Sequence, residues 1–330
     1  MLKNFWYACE WSSAIASKPK RITLMNQDFV LYRNTHSQVV ALNDFCAHRG
    51  AGLSQGQVEK DCIRCPYHGW KYREDGVCIE IPANEPDIPI PQKARVQSYF
   101  VREKYGFIWL FWGNLPEEEL PPLPSLPEVP NTSWRSVDIE LKFNAHYTRV
   151  LENLTDPVHV AFIHRKSFGN GIAKHPQFLV SKDEVLLDDW GGSILLSAKQ
   201  PAPENGLFWN YIYSKNQGNV NIKSAFYLPN IAVVSIGTKF KFLQYFCLVP
   251  VDQNTTLVKY IQFRNFLTYF WADSLFRTVN LKLLQEDRLV VESQCPKVVP
   301  EDLAAEIHVA GDALSVAYRR LRKKYLDCQS

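Results

Sequence analysis

The sequence predicts an α+β chain of two domains: an all-β N-terminal domain, then a domain with a central antiparallel sheet and helices. Three observations predict it. Short segments rich in β-branched and aromatic residues crowd the first third. A proline-dense run, PEEELPPLPSLPEVP (116–130), then interrupts any sheet or helix interior. Beyond it, helical stretches bracket a series of alternating segments. The expected domains are residues 1–115 and 131–330, with 116–130 as linker.

The first strands are expected in ITLMNQDFVLYRN, QVVALNDFC, KDCIRCPYHGWKY, GVCIEIPA and RVQSYFVREKYGFIWLFWG, separated by Gly, Asn and Asp turns. Strands this short and evenly spaced make a small sandwich or barrel. After the prolines a helical stretch is expected around 144–164, then alternating segments from about 178 to 264. Two helices close the chain, near 266–293 and 312–326, the second opening on Asp312 as N-cap after Gly311.

With 330 residues, 46% hydrophobic and 22% charged, the chain is long and apolar enough for a buried core. A net charge of +3 without a basic, aromatic-interleaved stripe argues against nucleic acid. The start, MLKNFWYACEWSS, lacks a signal-peptide pattern. The richest apolar stretch, FLTYFWADSLF (266–276), is broken by Asp273, so no integral membrane segment is expected, although peripheral contact there stays open. Eight cysteines without paired spacings fit a reducing compartment, and a soluble, cytoplasmic protein is expected.

Two loops carry metal-ligand spacing, Cys46-x-His48 and Cys65-x2-His68. Such donors hold zinc or an iron–sulfur cluster. Zinc fingers usually pair like with like, whereas each loop here mixes thiolate and imidazole. That asymmetry suits two inequivalent irons, with both thiolates on one and both imidazoles on the other. Neutral imidazoles in place of two thiolates lower the cluster's negative charge and raise its potential, to roughly −150 to +300 mV. Gly50, Gly52 and Gly69 are expected to let backbone N–H groups approach the sulfides. The segment resembles the Rieske [2Fe-2S] motif, down to HRG after the first histidine and CPYHGW around the second pair. Where respiratory Rieske proteins carry a disulfide, this chain has Ala51 and Tyr67, which points to the soluble ferredoxin or oxygenase type.

A second constellation lies in RVLENLTDPVHVAFIHRKSFG (149–169), with Asn153, Asp156, His159 and His164. On a straight helix two residues five apart point roughly 140° from one another, so the segment must bend or end between the histidines. Pro157 supplies irregularity just before them. The competing structural reading has Asp156 as an N-cap, Pro157 at the first helical position and both histidines half-buried. Two imidazoles and one carboxylate make the facial triad that holds Fe(II) with open positions. In NLKLLQEDRLVVESQ (280–294), Glu286 has Lys282 among its helical neighbours and Glu292 has Arg288. Asp287 has only Leu283, Leu284, Val290 and Val291, and a buried carboxylate needs a partner or a metal.

Taken together, Asn153, Asp156, His159, His164 and Asp287 resemble the N-x2-D-x2-H-x4-H pattern and distant Asp of Rieske non-heme iron oxygenase large subunits, of the vanillate and dicamba O-demethylase type. The resemblance implies a Rieske [2Fe-2S] domain followed by a helix-grip catalytic domain. It implies Cys46, His48, Cys65 and His68 as cluster ligands, and His159, His164 and Asp287 as ligands of a mononuclear Fe(II). It makes Asp156 a hydrogen-bonded electron gate between subunits and places Asn153 near the iron. It further implies a homotrimer, a ferredoxin and/or NAD(P)H-dependent reductase as donor, and O2-dependent hydroxylation or oxidative demethylation of a small molecule. No G-x-G-x-x-G follows a strand, so the electrons are expected from another protein. The alternative is a Rieske-type electron carrier whose second domain binds a ligand without oxygenase activity.

Overall fold

The computed structural model describes residues 1–128, 133–168, 176–181, 183–199, 207–217 and 219–329. The chain divides into two units, Lys3–Pro122 and Leu123–Ser330, the latter taking in Met1–Leu2. The division falls inside the proline-dense run. The first unit extends past the expected end at residue 115, and Trp6 Nε1 donates to the Pro121 carbonyl at 2.7 Å, tying that stretch to its strands.

In the first unit, β1 (Phe5–Trp11) pairs with β11 (Phe107–Trp112), which pairs with β10 (Val101–Lys104), all antiparallel. A four-stranded sheet runs in the order β2 (Lys20–Leu24), β3 (Gln27–Arg33), β4 (Val39–Asn43), β9 (Ser98–Tyr99). A second small sheet runs β5 (Gln57–Glu59), β6 (Cys62–Arg64), β7 (Lys71–Tyr72), β8 (Cys78–Glu80). The aromatic runs FWYACEW and FIWLFW are almost wholly buried, which is why these segments prefer a pleated, enclosed surface. The two metal-ligand loops sit at the turns β4–β5 and β6–β7.

The second unit is built on seven antiparallel strands. Their order is β12 (Arg135–Phe143), β18 (Thr256–Arg264), β17 (Phe242–Pro250), β16 (Ile231–Ile236), β15 (Asn219–Tyr227), β14 (Gly191–Lys199) and β13 (Leu186–Leu187). Among the described residues the α-helices are α1 (Tyr147–Thr155), α2 (Val160–Ile163), α3 (Arg165–Phe168), α4 (Leu207–Lys215), α5 (Ala272–Val291) and α6 (Ala313–Asp327). On α5, Ala272, Phe276, Asn280, Leu284, Asp287 and Val291 form one buried stripe at helical spacing. Asp273 anchors the helix's first turn to the sheet through Arg135 of β12 and Arg264 of β18. Those guanidiniums hold its carboxyl low, at about 2.

Two boundaries differ from the sequence expectation. The helix expected from 266 begins at Ala272, because Leu267 takes a left-handed φ of 46°, and Tyr269, Phe270 and Trp271 are exposed ahead of it. Asp312 stands at the N-cap position of α6 but does not cap it; its Oδ2 accepts from the Val309 amide instead. Among the described residues no helix is long and apolar enough to cross a membrane.

Candidate metal centres

The first loop hangs from Asp44, a wholly buried carboxylate that accepts from both the amide and the hydroxyl of Ser54. The second is clamped by Arg64, which donates to the Gly69 carbonyl and pairs with Glu59 and Glu80. Gly50 and Gly69 have left-handed φ values of 68° and 73°. Their amides close turns onto the carbonyls of Cys46 and Cys65, so their role is turn geometry, and Gly52, with an ordinary φ of −64°, has no such need.

The loops bring two buried thiols and two imidazoles together. The His48 and His68 rings lie 4.5 Å apart between centroids, and His48 stacks on Trp70 at 4.6 Å with 2° between planes. Cys46 Sγ meets the Tyr72 hydroxyl at 3.0 Å. Burial pushes the Cys65 thiol up, against the amides of Tyr67 and His68 that favour its thiolate. A buried thiolate beside a second cysteine calls for a cation. His48 Nδ1 is buried with no hydrogen-bond partner among the described residues. A buried, orphaned imidazole nitrogen on a loop that also carries a buried cysteine fits a metal ligand set. Among the described residues none of the eight cysteines is in a disulfide, Cys62 included.

In the second unit, α1 ends at Thr155, and Asp156 Oδ1 accepts from the Val158 amide at 2.7 Å across Pro157. His159 opens the four-residue α2, and His164 falls at the break between α2 and α3. These breaks turn both rings toward Asp287 of α5. His159 Nε2 lies 3.4 Å, and His164 Nε2 3.2 Å, from Asp287 Oδ1. The ligand atoms of all three lie within 4.8 Å of one another. Asp287 Oδ1 nevertheless has no aligned hydrogen-bond partner among the described residues. Three donor atoms that converge without hydrogen-bond alignment aim at a shared point between them, as ligands of one metal do. Burial pushes the Asp287 carboxyl up, but the two imidazoles outweigh it and hold it at about 2.

Asp156 Oδ2 stands 4.0 Å from His159 Nδ1, beyond hydrogen-bond distance, and burial raises the Asp156 carboxyl. The Oδ1 of Asn153 on α1 is buried and unpartnered. Sequence reasoning missed Glu286. With Lys282 among its helical neighbours, it accepts from His164 Nδ1 at 2.9 Å and Ser167 Oγ at 2.9 Å. Its place one step before Asp287 on the helix was the available signal. Of the aromatics between 208 and 242, Phe226 and Phe242 are core, Phe240 stacks on Phe266, and the side chains of Phe208 and Trp209 lie outside the described residues.

Comparison with known proteins finds a family match for each part of the chain. Residues 5–100 match the Rieske [2Fe-2S] domain, and residues 143–327 match the vanillate O-demethylase oxygenase C-terminal domain. The second match covers more than half of the chain, which therefore belongs to the Rieske oxygenase large subunits of the vanillate O-demethylase type. The cofactors of that family are a [2Fe-2S] cluster in the first domain and a mononuclear iron in the second. Toluene-4-sulfonate monooxygenase system iron-sulfur subunit TsaM1 from Comamonas testosteroni is 32% identical over 183 residues, 55% of this chain. That match spans about half of the relative's length, 52%. Methylxanthine N1-demethylase NdmA from Pseudomonas putida is 29% identical over 335 residues, covering 97% of this chain and 88% of NdmA. Dicamba monooxygenase bound to dicamba shares the fold, with a TM-score of 0.82 at 21% identity over 100% of this chain and 99% of that one.

Proposed function

We propose that this chain is the oxygenase component of a Rieske system, using O2 and two electrons to hydroxylate or oxidatively demethylate a small organic molecule. The observation that carries the reading is the convergence of His159, His164 and Asp287 on one point in a unit separate from the cysteine–histidine loops. A plain electron carrier has no use for that second set. Cys46 and Cys65 would hold one cluster iron and His48 and His68 the other, while His159, His164 and Asp287 would hold the mononuclear iron. Two imidazoles and a carboxylate leave Fe(II) open positions, and such iron with a one-electron relay supplies O2 activation.

The chain's own residues position and insulate. Burial of Asp287 and His164 keeps water from competing for the ligand atoms. Asp156 is read as the link between His159 and His68 of a neighbouring subunit, within a homotrimer. The electron donor is a ferredoxin and/or an NAD(P)H-dependent reductase. When the oxidised carbon is attached to O or N, the hydroxylated product loses formaldehyde and leaves a demethylated compound. NdmA, named as an N-demethylase, supports that branch.

The test has two parts. Purified protein is expected to carry about three irons per chain, falling to about two in Asp287→Ala with the visible cluster spectrum unchanged. With a surrogate reductase, a screen of methoxylated and N-methylated aromatics is then read by O2 uptake and product mass. Iron content of about two in the unaltered protein sinks the oxygenase reading and leaves a redox carrier.

A further inference from the structure

His164 is gripped on both edges by consecutive residues of α5. Asp287 Oδ1 faces its Nε2 at 3.2 Å, and Glu286 Oε2 meets its Nδ1 at 2.9 Å. The second oxygen of Glu286 accepts from Ser167 Oγ at 2.9 Å, and the Ser167 amide donates to the His164 carbonyl at 2.9 Å. The result is a closed ring of contacts: imidazole, carboxylate, hydroxyl, backbone. His164 is only 5% exposed at its side chain and Glu286 20%.

An ionised carboxylate only accepts hydrogen bonds, so Nδ1 of His164 must carry the proton in this contact. In the neutral ring the lone pair then lies on Nε2, the nitrogen that faces Asp287. A free imidazole side chain is under no such constraint. His159 differs: its Nδ1 is buried without a hydrogen-bond partner among the described residues. The two histidines of the centre are therefore held unequally.

We propose that Glu286 is a positioning residue of the mononuclear centre, fixing His164 as the Nδ1–H tautomer with Nε2 turned to the metal, and that Ser167 holds Glu286 in place. The inference rests on the reading of His159, His164 and Asp287 as metal ligands. A carboxylate on the outer nitrogen of a ligating histidine raises its basicity and sets its orientation; losing one typically weakens metal binding 10–100-fold.

The experiment uses the full chain with its cluster loaded and the second centre stripped of iron, titrated anaerobically with Fe(II). Glu286→Ala is expected to bind Fe(II) about 10–100-fold more weakly, and Glu286→Gln and Ser167→Ala by smaller factors in the same direction. Nitrogen-15 NMR of His164 in the iron-stripped protein is expected to show Nδ1 protonated, and to change to Nε2–H or a mixture in Glu286→Ala. A merely structural glutamate would not move that signature. Should Glu286→Ala destabilise the fold, Glu286→Gln and Ser167→Ala carry the same two readouts. Unchanged affinity together with an unchanged tautomer overturns the proposal. Asp287→Ala separates the two levels: if it also binds Fe(II) normally, the metal-centre reading has failed, and if it alone loses Fe(II), only the role of Glu286 has.

Discussion

Tyr72 places a hydroxyl beside a cysteine of the first centre. Its hydroxyl lies 3.0 Å from Cys46 Sγ and accepts from the Ala47 amide at 3.2 Å. Burial pushes the phenol well above its ordinary pKa, and the neighbouring Cys46 adds to the shift, so the group stays protonated and donates to sulfur. A hydrogen bond to a thiolate ligand favours the more negative, reduced cluster. Tyr72→Phe is expected to lower the reduction potential by about 40 mV, the equivalent of about 1 kcal/mol for one electron. Protein-film voltammetry reads this directly. A potential that stays put or rises would mean that the phenol does not donate to the sulfur.

α1 carries a pH-dependent element. His146 caps it, with Nδ1 accepting from the Thr148 amide at 3.4 Å and meeting Thr148 Oγ1 at 2.7 Å. Burial, helped by the nearby Arg322 charge, lowers its pKa to about 4. Protonation would turn the capping nitrogen into a donor and place a charge in the core. The folded pKa is depressed below the unfolded value of about 6.5, so the unfolded chain binds the proton first. The contribution is fully present above pH ~6.5 and is lost as pH falls toward about 4, by about 3 kcal/mol at most. Urea denaturation across that window is expected to show this slope, and His146→Asn, a neutral cap, to flatten it. An equal slope in both proteins would place the proton elsewhere. Because α1 leads into Asp156 and His159, this acid-labile cap lies next to the second centre in the chain.

For the whole molecule, the proposed electron path between subunits has a distinctive consequence. On the proposed ligand assignment Cys65→Ser removes a cluster ligand and Asp287→Ala a mononuclear-iron ligand, so each variant alone is expected to be inactive. In a ring of three, any mixture of the two holds one site where an intact cluster adjoins a neighbour's intact iron centre. Trimers co-expressed with two tags and purified through both are thus expected to recover about a third of normal turnover. Inactive mixed assemblies would put electron transfer within a chain and remove Asp156 from its proposed place.

Read as a linear string, this protein already determined much of its chemistry. The pairs Cys46/His48 and Cys65/His68 lie in short loops whose ligand spacing is local, so they are legible without a fold. Asp287 was reachable because helical periodicity puts it in the apolar stripe with Leu284 and Val291, where an unpaired carboxylate is anomalous. Tertiary structure decided what depends on distant partners. Glu286 carried a nearby Lys282 in sequence, yet His164, 122 positions away, outcompetes it because the fold presents a buried donor there. The Tyr72 contact to Cys46, the capping role of His146 and the start of α5 at Ala272 are likewise set by packing. A helical pattern constrains which face a residue occupies; only the packed chain determines which group meets it there.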